Sequence, residues 1–62
     1  MAYDVQVRVR RRWRTVADLT RIGNLAEARL EVRRLLAELA DRPHARIVDS
    51  DDGTQIESTE DW

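Results

Sequence analysis

The chain has 62 residues, close to the smallest size at which a single hydrophobic core is stable, so one domain is expected. It contains no cysteine, which excludes disulfide bonds as a source of stability for so small a core. The formal net charge of −1 is the balance of eleven basic and twelve acidic residues, and it excludes the strongly basic composition typical of dedicated nucleic-acid-binding domains.

The charges are unevenly distributed along the chain. Residues 1–34 contain nine arginines and four acids, a balance of +5, whereas residues 35–62 contain two arginines and eight acids, a balance of −6. This asymmetry predicts either two opposed binding surfaces or an acidic end that folds over the basic part. No apolar run is long enough to cross a membrane and no signal-peptide core is recognisable, so a cytoplasmic location is expected.

Residues 3–9 predict a β-strand, because apolar and polar side chains alternate strictly. Residues 13–19 (WRTVADL) are rich in strand-forming residues and predict the returning strand of a hairpin. The connection between them is an arginine run, which lacks the Gly or Asn that tight hairpin turns prefer.

The register of this hairpin is open at the level of the sequence. A two- or four-residue loop pairs Val7 with Val16 and turns Trp13 outward beside Arg8 and Arg10. A three-residue loop instead pairs Val9 with Trp13 and buries the indole. The two alternatives place Trp13 on opposite faces of the sheet.

An unbroken run of helix-forming residues, with neither Gly nor Pro inside it, predicts one α-helix over residues 25–41. Its apolar residues recur every three or four positions and form one stripe, made of Leu25, Ala28, Val32, Leu35, Leu36 and Leu39. Asn24 and Glu27 have the spacing of a capping box, so the helix is expected to begin directly after Asn24. Pro43 predicts its end, because proline disfavours helical geometry in the residue before it.

Two short strands are predicted after the helix, over residues 45–50 and 54–58, with Asp51-Asp52-Gly53 as the turn between them. The last residues, 59–62, are expected to form a loose, disordered tail. The element order is therefore ββαββ. The predicted fold is a single small α+β domain with one helix on one face of a mainly antiparallel four-stranded sheet.

The segments WRTVADL, NLAEARLEV and ARIVDSDDGTQIE resemble, in their order, those of several short bacterial proteins. In those proteins a hairpin containing Trp precedes a helix and a second hairpin with a DG turn. The resemblance implies the fold and no particular activity.

Few residues suited to catalysis are present. With one histidine, no cysteine and no lysine, a nucleophile–base set would have to use His44 together with Ser50 or Ser58. His44 follows Pro43 in a predicted loop, where a solvated side chain is expected. No enzyme activity, no cofactor and no small-molecule substrate are therefore expected.

The acidic segment near the end of the chain partly imitates a calcium-binding EF-hand loop. Counting Asp49 as the first position puts Asp51 at the third and Glu60 at the twelfth. However, Gly53 takes the fifth position, where the loop needs an oxygen ligand, and Thr54 takes the sixth, where it needs glycine. A hairpin turn followed by an acidic tail is expected instead of a metal site.

The most distinctive feature of the sequence is a cluster of arginines around one tryptophan. The six candidate binding residues are Arg8, Arg10, Arg11, Arg12, Trp13 and Arg14. Arginine neutralises phosphate and bases stack on indole rings, so this composition is typical of a nucleic-acid site. The alternative is a solvated hairpin whose arginines pair with the acidic second half, within the protein or across a dimer. The near-zero net charge favours this alternative.

The sequence as a whole predicts a small non-enzymatic protein that acts by binding, either as a homodimer or as an accessory subunit of a larger assembly. The thin core is the reason, because one sheet face and two strand edges are left uncovered in the monomer. A nucleic-acid-binding module that uses the Arg8–Arg14 hairpin is the alternative function. No membrane partner is expected.

Overall fold

A computed structural model describes all 62 residues and shows one helix packed on a four-stranded sheet. The elements are, in chain order, β1 (Tyr3–Val9), β2 (Arg12–Thr15), α1 (Leu25–Glu38), β3 (Ala45–Asp49), β4 (Gln55–Ser58) and a 3-10 helix (Thr59–Asp61). The strands form an antiparallel sheet in the order β2-β1-β3-β4, and α1 packs against β1 and β3. The predicted α+β fold is therefore confirmed. None of the helices has both the length and the apolar character needed to span a membrane.

The hydrophobic core lies between α1 and the two central strands and is small. Its fully or almost fully buried side chains are Val5, Ala28, Val32, Ala45 and Ile47. Val5 and Ile47 lie directly opposite each other on β1 and β3. They form one buried cluster with Ala28 and Val32 of the helix stripe. Leu35 and Leu36 pack against this cluster but remain partly exposed. The best-packed part of the helix is therefore its first half.

Helix α1 begins where the sequence predicts. Oδ1 of Asn24 accepts hydrogen bonds from the backbone N–H groups of Ala26 (2.8 Å) and Glu27 (3.2 Å), two donors that the first turn leaves without helical partners. The helix ends at Glu38, earlier than predicted, because Leu39 takes an extended conformation with φ −96° and ψ 121°. This bend directs the chain back towards β3.

The β1–β2 hairpin closes through a two-residue loop formed by Arg10 and Arg11, which we call the hairpin tip. Both residues have positive φ, 52° and 69°, and this is the type I′ geometry that normally selects Asn and Gly. The register places Trp13 opposite Arg8, so the indole points away from the helix, as the outward alternative predicts.

The detailed pairing predicted with that alternative is wrong, because Arg14 and not Val16 faces Val7. The predicted second strand is also shorter in the structure, where residues 16–19 form a turn. Val16 and Leu19 both pack on the core from this turn. In a straight strand their odd spacing would place them on opposite faces of the sheet, so the turn allows both side chains to be buried together.

The end of the chain is held in place by several contacts, including a hydrogen bond to β3 (3.0 Å), whereas the sequence predicts a loose tail. Oγ of Ser58 accepts a hydrogen bond from the backbone N–H of Glu60 (3.2 Å) and begins the 3-10 helix. The guanidinium of Arg33 on α1 then lies 5.5 Å from the centre of the Trp62 ring. This cation–π contact attaches the last residue to the helix.

Candidate binding surface

The sheet face opposite α1, which we call the outer face, carries mainly polar side chains. Its members around the centre of the sheet are Gln6, Arg8, Trp13, Thr15, Arg46 and Gln55. Alternation along the strands produces this face, because every second residue of β1 and β3 contributes to the core on the helix side. The other apolar residue that the register pairs on this face is Val48, which is only 2 % exposed. The outer face is therefore a polar surface with one partly exposed indole.

A ladder of hydrogen bonds joins the four strands across the outer face. The side-chain nitrogen of Gln6 donates to Oγ1 of Thr15 (3.1 Å), and Oε1 of Gln6 accepts from Nε of Arg46 (2.8 Å). On the other side, Nη1 of Arg46 donates to Oε1 of Gln55 (3.4 Å). These bonds hold the Arg46 guanidinium over the middle of the sheet.

Two guanidinium groups lie against the Trp13 ring. The guanidinium carbon is 4.4 Å from the ring centre for Arg46 and 5.9 Å for Arg8, both within the range of about 6 Å for cation–π attraction. Neither arginine forms an ion pair in the chain. Both guanidinium groups therefore contact the aromatic ring, that of Arg46 also contacts neutral amides, and no carboxylate neutralises either charge.

The hairpin tip adds two more arginines at the end of the sheet nearest to Arg8. Both Arg10 and Arg11 are exposed, and neither side chain forms an ion pair. A non-glycine residue in left-handed geometry costs roughly 1–2 kcal/mol, so the tip contains backbone strain that its side chains do not offset within the chain.

The six residues predicted as a binding site do not form a single patch. Arg8 and Trp13 are direct neighbours on the outer face, and the hairpin tip lies beside them. Arg12 and Arg14 point to the other side of β2, because the register pairs them with the helix-side residues of β1. The candidate surface therefore consists of the outer face and the hairpin tip.

Arg46 is the member of this surface that sequence analysis missed. It lies far from Trp13 in the chain and reaches it only because β3 pairs with β1, where Arg46 is opposite Gln6. Its polar position between Ala45 and Ile47 is visible in the sequence and predicts that it faces away from the core. The strand order, which brings it to Trp13, is not visible there.

No carboxylate forms an ion pair with the arginines of the basic region, although Asp4 shares the outer face with Gln6. The turn at residues 51–52 lies at the other end of the sheet from the hairpin tip, about 20 Å away along β1, which exceeds the Debye length of about 8 Å at physiological salt. Glu57 pairs with Arg29 of α1, and Glu60 lies 3.9 Å from His44. The predicted pairing of the hairpin arginines with the acidic half is therefore not formed within one chain.

The acidic turn is stabilised by its own carboxylates. Oδ1 of Asp49 accepts from the backbone N–H of Asp51 (2.7 Å), and Oδ1 of Asp52 accepts from that of Thr54 (2.8 Å). Hydrogen bonds from the backbone and hydroxyl of Thr54 lower the pKa of Asp52 below its ordinary value of 3.8. Gly53 has φ +77° and supplies the left-handed geometry expected at that position. No group of three His, Asp or Glu side chains is arranged to hold a metal ion.

A groove of about 470 Å³ lies on the helix side of the sheet, between the end of β1 and the segment after α1; we call it the helix-end groove. Its apolar lining consists of Val7, Val9, Leu39, Ala40 and Pro43. Arg8 and Arg10 lie on the β1 wall and Asp41 on the opposite wall, and neither arginine forms an ion pair with Asp41.

The outer face presents polar side chains and one aromatic ring. Its side chains supply guanidinium and amide donors, a hydroxyl and an indole, which are groups that bind anions and planar rings. The single histidine, His44, is exposed and lies in the loop before β3. No family model, no curated protein and no solved structure matches this chain.

Proposed function

We propose that this chain is a small non-enzymatic binding protein of the cytoplasm. It works as a homodimer or as an accessory subunit of a larger assembly. The outer face and the hairpin tip are the surface that binds a partner other than the second copy of the chain. The observation that carries the proposal is the fixed position of Arg46, 4.4 Å from the Trp13 ring and without a carboxylate partner. A side chain that is already ordered loses less conformational entropy when a partner binds, so this arrangement favours recognition.

The hairpin tip supports the same surface. Four non-glycine residues have positive φ, and the hairpin tip contains two of them in succession, beside Arg8. Asn and Gly would relieve the strain at Arg10 and Arg11, yet the chain has two exposed cations there. Their position beside Arg8 extends the positive surface beyond the edge of the outer face.

The helix-end groove supports dimerisation through a second copy of the chain. The sheet edges are poor candidates for that contact, because β2 is short and carries exposed arginines, and β4 contains a bulge. The groove instead offers apolar walls, with Val9 42 % exposed, and opposite charges on its two sides. In a two-fold dimer, Arg10 of one copy and Asp41 of the other can therefore pair in both directions.

Site-specific photo-crosslinking in the native cells tests the partner surface. A photoreactive phenylalanine analogue is placed at Gln55 on the outer face, and a matched variant carries it at Ala26, which is exposed on the helix. We expect covalent adducts from position 55 and none from position 26, because the helix surface lies on the other side of the molecule. The same adducts from both positions, or none from position 55, would contradict the proposal.

A further inference from the structure

We infer that the partner of the outer face is a single-stranded nucleic acid, whose bases stack on Trp13 and whose phosphates contact Arg46, Arg8 and the hairpin tip. This inference rests on the proposed function and adds the class of partner. It follows from three features that lie together only in the folded chain: an unpaired fixed guanidinium, a partly exposed indole and a strained cationic turn.

Arg46 is suited to hold a phosphate. Gln6 and Gln55 each accept one of its N–H groups and the indole lies against its guanidinium, while its remaining donors have no partner in the chain. A guanidinium has five donors in a planar fork, and this geometry matches two phosphate oxygens. Because the partners of Arg46 are neutral, its full charge is available to an external anion.

Trp13 supplies the stacking surface and indicates a single strand. The ring is partly exposed, and an unpaired base can lie against the part of it that the guanidinium groups of Arg46 and Arg8 leave free. Bases in a duplex are already stacked on each other, so they are not free to lie against the ring. Stacking on indole tolerates every base, so little sequence preference is expected.

The hairpin tip supplies charge at the place where a strand leaves the outer face. Arg10 and Arg11 are exposed, free of ion pairs and adjacent to Arg8. Together with Arg46 they give four arginines along one path from the middle of the sheet to its end. The acidic turn lies at the opposite end, beyond the distance over which exposed charges interact strongly at physiological salt.

A second copy of the chain fits the outer face less well. A stable protein interface buries about 800 Å² on each partner and has an apolar centre. The outer face offers Trp13 alone for such a centre, because Val48 is already buried within its own chain. The polar ladder and unpaired cations are instead the composition of a nucleic-acid contact.

Fluorescence anisotropy with a labelled mixed-sequence DNA or RNA strand of about 12 nucleotides tests the inference, with the matching duplexes as competitors. We expect binding to the full chain that weakens as salt increases, because each neutralised phosphate releases counterions. We also expect the single strands to bind more tightly than the duplexes. In a Trp62→Phe variant, emission then reports on Trp13 alone, and the strand should quench it.

Two pairs of variants assign the contact. Trp13→Ala should bind about 5- to 150-fold more weakly, as for the loss of one stacked base, whereas Trp62→Phe should bind as the parent does. Arg10→Asn with Arg11→Gly should weaken binding and reduce the salt slope by about 1.4, at about 0.7 for each lost phosphate contact. Arg33→Gln with Arg34→Gln removes the same charge from the helix and should leave the slope unchanged. The tip variant relieves backbone strain, so weaker binding by it does not reflect unfolding.

The outcomes separate the inference from the proposed function. Absence of strand binding at low salt overturns the inference, and protein adducts that resist nuclease in the crosslinking experiment then leave the proposed function standing. Equal loss of salt slope in the tip and helix variants also overturns it, because binding would then follow net charge alone. Absence of both strand binding and crosslinked adducts from position 55 overturns both.

Discussion

The large apolar side chains of α1 look alike in the sequence but differ in how far they are buried. Val32 is completely buried against β1 and β3, whereas Leu30, two positions earlier, is 47 % exposed. Leu35 and Leu36 lie between these extremes, since they pack against the core with part of their surface in solvent. Because the free energy gained from an apolar side chain follows the area removed from water, stability depends mainly on Val32 and its strand partners.

Replacement of Ile47 by alanine tests this ranking. Ile47 is 1 % exposed, so Ile47→Ala should lower the free energy of unfolding by about 2–5 kcal/mol, most of what so small a core provides. Leu30→Ala is the control and should change it by less than about 0.5 kcal/mol. Urea unfolding followed by circular dichroism measures both. Similar losses in the two variants would show that the core is placed wrongly.

Protonation of Asp52 should account for part of the loss in the free energy of unfolding at acid pH. Its pKa is lower in the folded chain than the ordinary 3.8, so its contribution to stability is present above that value and is lost as the pH falls through the folded pKa. Asp52→Asn keeps an oxygen acceptor for Thr54 but removes the titration, so the variant should lose less stability below pH 3.8. Asp51→Asn is the control, because no hydrogen bond to its carboxylate is present. Urea unfolding over a pH series compares them, and identical acid sensitivity of both variants would contradict the assignment.

At the scale of elements, the two hairpins use different turn chemistry. The β3–β4 turn has Gly53 where φ is positive, whereas the β1–β2 turn forces two arginines into that geometry. The first turn therefore follows the demands of the strands it connects, since only a two-residue loop with positive φ continues their twist. Strand pairing therefore overrides the preference of the two arginines for negative φ.

Substitution of the hairpin tip should therefore stabilise the protein. Arg10→Asn with Arg11→Gly should raise the free energy of unfolding by about 1–2 kcal/mol, because Asn and Gly adopt positive φ with little strain. The control moves the same pair of residues by one position, Arg11→Asn with Arg12→Gly, and places glycine inside β2. That variant should be less stable than the tip variant. Thermal melts compare them in an Asp41→Asn background, where the proposed contact of Arg10 across the dimer is absent. A lower melting temperature for the tip variant than for the matching parent would contradict the strain.

The sequence predicts local features of the fold better than its register. Asn24 begins the helix as its capping pattern indicates, and the alternation from Tyr3 to Val9 becomes β1, because both signals depend on neighbouring residues. The pairing of Val7 with Arg14 follows from a two-residue loop at Arg10 and Arg11, but the sequence does not mark the position of that loop, since it lacks Gly or Asn. Likewise, one of the two alternative registers places Trp13 beside Arg8, but Arg46 joins them through strand order alone.

At the scale of the whole molecule, charge is separated along the strands. Arginines occupy the end of the sheet at the hairpin tip, and Asp51 and Asp52 occupy the other end. The net charge of −1 conceals this polarity, which would orient an approaching polyanion towards the tip. The apolar walls of the helix-end groove lie on the helix side of the sheet, so a dimer formed through the groove leaves Trp13 and Arg46 free, whereas Arg8 and Arg10 line the groove as well as the partner surface.

The last prediction concerns that dimer. Sedimentation equilibrium near neutral pH and at moderate salt should give about twice the chain mass, because the apolar walls of the groove are covered by a second copy. Arg10→Glu and Asp41→Arg should each weaken the dimer, since each leaves like charges facing across the two-fold axis, and the double variant should restore it. Trp13→Ala is the control and should leave the mass unchanged, because Trp13 lies on the outer face. A monomer at high micromolar concentration, or a double variant no tighter than the single ones, would contradict a dimer built on the groove.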